Sequence, residues 1–269
     1  MHLRLFAVFF VFFMIPPAFA EENPLNCAPA IKEEASCLRN EALDFLRTPL
    51  DTENGGLLGT VIVAGAVGLT YIFDDDSRKP IRENRNPTLD KITDIGNAIG
   101  NPLIHIGLAG VVYGGGILAG SQKWQETGKM LGEAALLADA ATLVLKESIG
   151  RGRPDVNGNK DSFKPFQFDS DYDSLPSMHT ASSFAMASVM SGTAESLWAK
   201  AAYYLAATFV GFSRIYDDKH WASDVLLGAA IGELCGRVVT RYHTAGKRRL
   251  AIVPIISDHS ASLALTTTW

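Results

Sequence analysis

The chain has 269 residues, of which 47% are hydrophobic and 20% charged, and its net charge is -5. That composition excludes a disordered tail, a collagen-like chain and a disulfide-dense miniprotein. The acidic balance argues against general nucleic-acid binding, which needs a basic face, and leaves a packed soluble domain and a membrane bundle both open.

Residues 1–20 read as a secretory signal peptide. Met1 to Arg4 is a short basic start, Leu5 to Ile15 is an unbroken apolar run, and Ala18-Phe19-Ala20 is a small-x-small cleavage site. A first transmembrane helix is the alternative, but the run is shorter than the roughly 20 residues a bilayer needs. Cleavage places the mature chain outside the cytoplasm. The segment 21–54 is polar with weak helical periodicity. It carries Cys27 and Cys37, which an oxidising compartment either pairs or leaves as two thiols. Cys235, in an apolar helical pattern, reads as a buried thiol. No CxxC or Cys/His cluster points to a metal.

Leu57 to Phe73 is a charge-free apolar run, and Asp74-Asp75-Asp76 reads as its stop. A charged stretch follows to Lys91, and the amphipathic piece Leu89 to Ile99 leads to Gly100-Asn101-Pro102. Leu103 to Leu118 is a second apolar segment. Gln125 to Ser148 reads as a long helix, with apolar residues at three- and four-residue spacing. Gly150 to Leu175 is a polar loop. Thr180 to Met190, Ser196 to Phe212 and Ala222 to Tyr242 are three more helical segments whose small residues permit close packing. Arg249 to Ile256 and Ser262 to Thr268 read as a β-hairpin with a docking or capping role. The expected fold is all-α: a bundle of about six core helices over 55–245, with a short hairpin in 246–269.

Charges inside the segments argue against spanning. The Gln125 helix holds Glu126, Lys129, Glu133 and Asp139; the next-to-last holds Lys200; the last holds Asp224, Glu233 and Arg237. Charges at membrane depth are costly, so four of the six segments are expected to keep one wet face. Parity agrees. With the mature start outside, three crossings from Leu57, Leu103 and Gln125 bring Lys146 into the cytoplasm. The expected protein is a non-spanning periplasmic enzyme that rests on a membrane surface.

The chemistry sits at helix ends. Lys146 closes one helix, Ser177 to Thr180 opens another, Ser213-Arg214 closes a third, and His220 to Asp224 opens a fourth. Antiparallel packing brings these ends to one face. Lys146, Arg153 and Arg214 supply fixed positive charge there, and a helix start adds free N–H groups. Ser177 adds a hydroxyl. His220 and Asp224 form an i, i+4 pair in which the carboxylate holds one ring nitrogen and frees the other as nucleophile. His179 is placed to protonate a leaving oxygen. Elsewhere, His105 reads as a core histidine, Asp139 as paired within the bundle, and His243 with Lys247 to Arg249 as a solvated helix end.

Three ordered motifs carry a resemblance. Lys146-x6-Arg153-Pro154, Pro176-Ser177-Met178-His179 and Ser213-Arg214-x5-His220-x3-Asp224 are similar to the K-x6-RP, PSGH and SR-x5-H-x3-D patterns of the type 2 phosphatidic acid phosphatase superfamily. That superfamily includes the bacterial non-specific acid phosphatases and the vanadium haloperoxidases. The resemblance spans roughly Ile95 to Val239, and it departs at Met178, where the family has glycine. It implies phosphate-monoester hydrolysis, on soluble or lipid phosphates, through a phosphohistidine on His220. Asp224 would orient that histidine, and His179 would act as acid. Lys146, Arg153, Ser177, Met178 and Arg214 would bind the phosphoryl group. No metal or cofactor is implied for hydrolysis. Vanadate would inhibit, or would serve as cofactor in the haloperoxidase alternative. A helical φ at Met178 would merely narrow the pocket; a positive φ would leave a phosphate-binding protein without turnover.

Overall fold

The computed structural model describes residues 27–245 and the segments Leu250–Ser257 and Ser260–Thr267. The leader expected over residues 1–20 lies outside the described residues. The chain divides into two compact units, Met1–Leu43 and Asp44–Trp269. The described part of the first is the start of helix α1, Cys27–Arg47, which continues into the second. In the first unit the Cys37 thiol donates to Glu41 Oε1 at 3.7 Å, one turn on. The side chain of Cys27, and with it the question of a Cys27–Cys37 disulfide, lies outside the described residues.

The second unit is a helical bundle whose elements start and stop for local reasons. Helix α2 (Gly56–Ile72) follows Gly55, which takes a left-handed φ of 79°. Helix α3 (Asp74–Glu83) opens on three aspartates, favoured at the positive end of the helix dipole. These residues therefore begin a helix rather than merely stopping one. Asn86 caps α4 (Pro87–Ile99), its side chain accepting from the Leu89 N–H at 3.0 Å. Asn101 caps α5 (Pro102–Leu118) on the Leu103 N–H at 2.9 Å, again with proline next in line. Helix α6 (Gln122–Ile149) ends at Gly150, whose φ is 63°. A β-carbon at Gly150 would lie 2.0 Å from the Lys164 carbonyl oxygen, so only glycine closes that turn. A single turn, α7 (Pro154–Asn157), precedes α8 (Met178–Thr193), α9 (Leu197–Tyr216) and α10 (Ala222–Ala245).

Helix α8 is the hub, packed against α6, α9 and α10. Its buried face is made of Ala181, Ala185 and Val189, met by Ala134, Ala135 and Ala138 of α6 and by Ile231, Cys235 and Val239 of α10. Small residues let the backbones touch. A β-carbon on Gly232 would sit 2.0 Å from the Ala181 carbonyl oxygen. Helices α6 and α9 end, and α8 and α10 begin, at one face of the bundle. His105 is a buried core histidine whose Nδ1 lies 2.8 Å from Ser182 Oγ, and Asp139 bonds the same Ser182.

The expected wet faces are observed only in part. Several charges within the helices turn to partners, Asp224 fully buried among them, while Arg237 keeps a 75% exposed side chain. His243 is held by Glu133 at 2.5 Å and by Glu126 at 3.3 Å, so it is not a solvated helix end. Glu233 accepts from the Tyr204 hydroxyl at 2.8 Å. The outward faces are apolar instead: α2 buries none of its 17 residues, and Leu103, Leu118, Trp198 and Leu205 stand exposed on α5 and α9. No described helix is by itself long and apolar enough to cross a membrane. Two bent pairs, α2 with α3 and α4 with α5, pass by length and composition, bent by 55° and 57°.

The helical character holds through Ala245. In the tail, Leu250–Ser257 (β1) runs antiparallel to Ser260–Thr267 (β2), and the docking or capping role expected there stays a proposal.

Candidate active site

The shared end of α6, α8, α9 and α10 gathers the side chains singled out by the motifs. Lys146 lies buried in the last turn of α6 and donates to the Asp173 carbonyl. Arg153, just before α7, holds Asp173 Oδ1 through its Nε at 2.6 Å. Arg214, in the last turn of α9, donates from Nη1 to Asn97 Oδ1 at 2.7 Å, while its buried Nε has no partner. A buried guanidinium N–H with no acceptor is costly, and an anion seated between these three cations would satisfy it. Ser177 precedes α8, with its Oγ accepting from the Thr180 hydroxyl at 2.9 Å and its N–H donating to the Asp224 carbonyl at 3.0 Å. Met178 opens α8 in ordinary helical backbone and is absent from the left-handed residues. A side chain there costs the backbone nothing, and the helix start still offers free N–H groups.

His220 lies buried in the turn between α9 and α10. Its Nδ1 is 2.7 Å from the Ser174 carbonyl oxygen. A carbonyl only accepts, so Nδ1 carries the hydrogen and the lone pair sits on Nε2. Burial pushes the imidazole pKa well below the usual histidine value, and the charges of Lys146, Arg153 and Arg214 push it the same way. At neutral pH the ring is uncharged. His179, the second residue of α8, lies in the field of the same three cations.

Asp224 does not hold the ring directly, as the i, i+4 spacing had suggested. Its Oδ2 is 3.9 Å from His220 Nδ1. That oxygen accepts instead from Ser174 Oγ at 2.5 Å and from the Trp221 N–H at 2.9 Å. Ser174 thus serves both: its hydroxyl binds the carboxylate while its carbonyl binds the imidazole. The orientation of His220 passes through Ser174, because His220 lies in the turn before α10 and its Nδ1 stands 3.9 Å from the carboxylate.

Sequence reasoning missed the brace beneath. Arg151 is wholly buried and donates to Asp224 Oδ1 at 2.6 Å, Asp74 Oδ2 at 2.8 Å, Ser223 Oγ at 2.8 Å and the Lys160 carbonyl at 3.1 Å. The rings of Tyr71 and Trp221 flank its guanidinium at 4.7 and 5.3 Å. Asp74, expected only as a helix stop, is buried and accepts from the Ser223 N–H at 2.9 Å and hydroxyl at 2.5 Å. The available signal was an arginine two residues before Arg153 and an aspartate closing an apolar run; nothing in the sequence joins them across 77 positions. The turn carrying His220 is fastened further by Arg78, whose Nε and Nη2 both reach Asp218 at 2.6 Å, with Asp218 at a φ of 62°.

The sequence model of the PAP2 superfamily matches residues 128–248, the stretch that holds all three motifs. Lipid A 1-phosphatase of Porphyromonas gingivalis is 34% identical over 176 residues, which are 63% of this chain and 35% of that one. The chain therefore spans about a third of the length of this curated relative. A transmembrane PAP2 type phosphatidylglycerolphosphate phosphatase from Bacillus subtilis superposes with a TM-score of 0.56 at 22% identity, over 75% of this chain and 98% of that one, and shows a shared fold. LpxE of Aquifex aeolicus is 27% identical, with a TM-score of 0.47 over 62% of this chain and 94% of that one.

Proposed function

We propose that this chain, which belongs to the PAP2 superfamily, is a phosphoric monoester hydrolase whose substrate is a phosphorylated lipid. The observation that carries the reading is the orphaned Arg214 Nε among Lys146 and Arg153, facing a neutral histidine whose Nδ1 is already bound. Such a site holds a phosphoryl group and presents a nucleophile to it.

The steps follow from the side chains. His220 Nε2 attacks phosphorus, the bond from phosphorus to the ester oxygen breaks, and His179 delivers a proton to that oxygen. Lys146, Arg153, Arg214 and the N–H groups at the start of α8 stabilise the charge on the three phosphoryl oxygens. A water then attacks the phosphohistidine, His179 takes its proton, and inorganic phosphate leaves. As the ring becomes positively charged, the Ser174 carbonyl and, through Ser174, Asp224 stabilise it. Met178 sits in helical backbone without strain, which supports turnover over a binding-only role.

Lipid as the substrate class is supported by the apolar sides of the bundle and by the likeness to the Lipid A 1-phosphatase of Porphyromonas gingivalis. Each large apolar side chain gains about 1.5–3 kcal/mol on leaving water, and α2, α5 and α9 display many. The reading therefore seats the bundle in a bilayer, in place of the non-spanning expectation. Phosphate release decides the activity. The purified protein should release phosphate from a lipid monophosphate in mixed micelles. Vanadate should inhibit, and His220→Ala should lower kcat by at least about three orders of magnitude. Folded protein that turns over no phosphate ester would defeat the proposal.

A further inference from the structure

The loop Phe163–Ser170 is exposed at every residue and carries two large aromatic side chains. Phe166 and Phe168 are 65% and 58% exposed, and both take left-handed backbone, at φ 59° and 54°. Aromatic residues rarely adopt that region, so the surrounding structure must impose it. The imposed contacts are visible. The Lys164 N–H donates to the Gly150 carbonyl at 2.7 Å, and the Phe166 N–H donates to the Glu147 carbonyl at 2.7 Å, which pins the loop to the end of α6. On the far side Asp169 accepts from the Asp171 N–H at 3.2 Å and fixes the return. The pair of rings is therefore held out, and the hold is maintained against an unfavourable backbone.

We propose that Phe166 and Phe168 form a wedge that inserts into the lipid surface beside the active site and delivers lipid-borne phosphate to it. The proposal rests on the bilayer-seated, lipid-phosphatase reading above and names the element that confers preference for lipid. Lipid is selected as the occupant by the apolar side chains that adjoin the loop: Leu143 and Val144 stand exposed on α6 within one turn of Glu147, whose carbonyl receives the Phe166 N–H. The ammonium groups of the neighbouring lysines are held within the protein, Lys164 over the Tyr172 ring at 4.3 Å and Lys160 on the Ile72 carbonyl at 2.8 Å. The wedge also adjoins the chemistry. Five residues beyond Phe168 stands Asp173, which grips Arg153 and whose carbonyl receives Lys146.

The test uses the full chain reconstituted in phosphatidylcholine vesicles. In Phe166→Ser/Phe168→Ser, hydrolysis of a long-chain lipid monophosphate in the bilayer should fall at least tenfold, while hydrolysis of a water-soluble aryl phosphate stays within twofold. Independently of activity, brominated phosphatidylcholine should quench the extra emission of a Phe168→Trp variant beyond the wild-type background. Equal losses on both substrates would mark a structural role and overturn the wedge, as would unquenched emission. A wild-type protein inactive on both substrates would defeat the phosphatase reading alone, and the quenching result would still judge the wedge.

Discussion

Replacing Arg151 by methionine tests the reasoning about the site most directly. The wild-type guanidinium lies between two buried carboxylates, 2.6 Å from Asp224 and 2.8 Å from Asp74. All three side chains are fully inaccessible to water. At an effective dielectric of about 20 each such pair is worth about 4 kcal/mol of attraction, much of it offset by desolvation. Methionine fills most of the volume, so the loss is electrostatic: two carboxylates stay buried without their counter-charge. Removing one partner of a buried pair typically costs about 3–5 kcal/mol. That is the destabilisation expected in equilibrium unfolding of the purified protein in mild detergent. Asp74→Asn in the same background removes one orphaned charge and should restore about half of the loss, leaving the Ser223 N–H its acceptor. Asp224, no longer braced, should release Ser174, and kcat should fall with little change in KM. An Arg151→Met protein within 1 kcal/mol of wild type, or a double variant no better than the sum of the single ones, would refute the network.

Three further outcomes are expected. Met178→Gly should leave kcat within about threefold, because the backbone at Met178 is already helical; a tenfold rise in a phosphate-release assay would show that the side chain obstructs the pocket. The depressed pKa of His220 keeps the nucleophile neutral to well below pH 6.5, so kcat should hold on its acid side below that value, and titration with a soluble phosphate ester reports it. Helix α2 runs about 25 Å from Gly56 to the site, where Lys160 binds the Ile72 carbonyl at 2.8 Å. Single cysteines at Asn54→Cys and Asn159→Cys should therefore react with an impermeant maleimide from opposite faces of the membrane. Reaction of both from one face would return the bundle to the membrane surface, and the side on which Asn54 reacts also tests the cleaved leader.

The readable part of this protein was the part governed by local rules. Helix limits fell within a few residues of expectation wherever a cap was spelled out, as Asn86-Pro87 and Asn101-Pro102 do for α4 and α5. The site residues were legible because each lies at a helix end, where short spacings survive folding. Helix α3 was hidden because its aspartates punctuate an apolar run and read equally well as a stop. Asp74 was hidden for a second reason: its partner Arg151 is far away in sequence, and a buried charge looks like an exposed one until the fold supplies the pair. The same ambiguity misread Glu133 and Glu233. A charge within a helix says that one face is polar, and whether that face meets water or another helix is decided only by packing.

That inversion ties the fold to the chemistry. The chain is acidic as a whole, yet its phosphate site is cationic, because the carboxylates nearest the site are already engaged. Asp224 and Asp74 share the Arg151 guanidinium, Asp218 is paired with Arg78, and Asp217 bonds Asn97 and Thr93. What remains facing His220 is Lys146, Arg153 and Arg214, with Asp173 as the one carboxylate bonded among them. A phosphoryl group carries more negative charge than Asp173 and offers more acceptor oxygens, including one for the orphaned Arg214 Nε. It therefore competes for Arg153 from a position of strength. The Arg153–Asp173 pair therefore sets how much binding energy a substrate must bring.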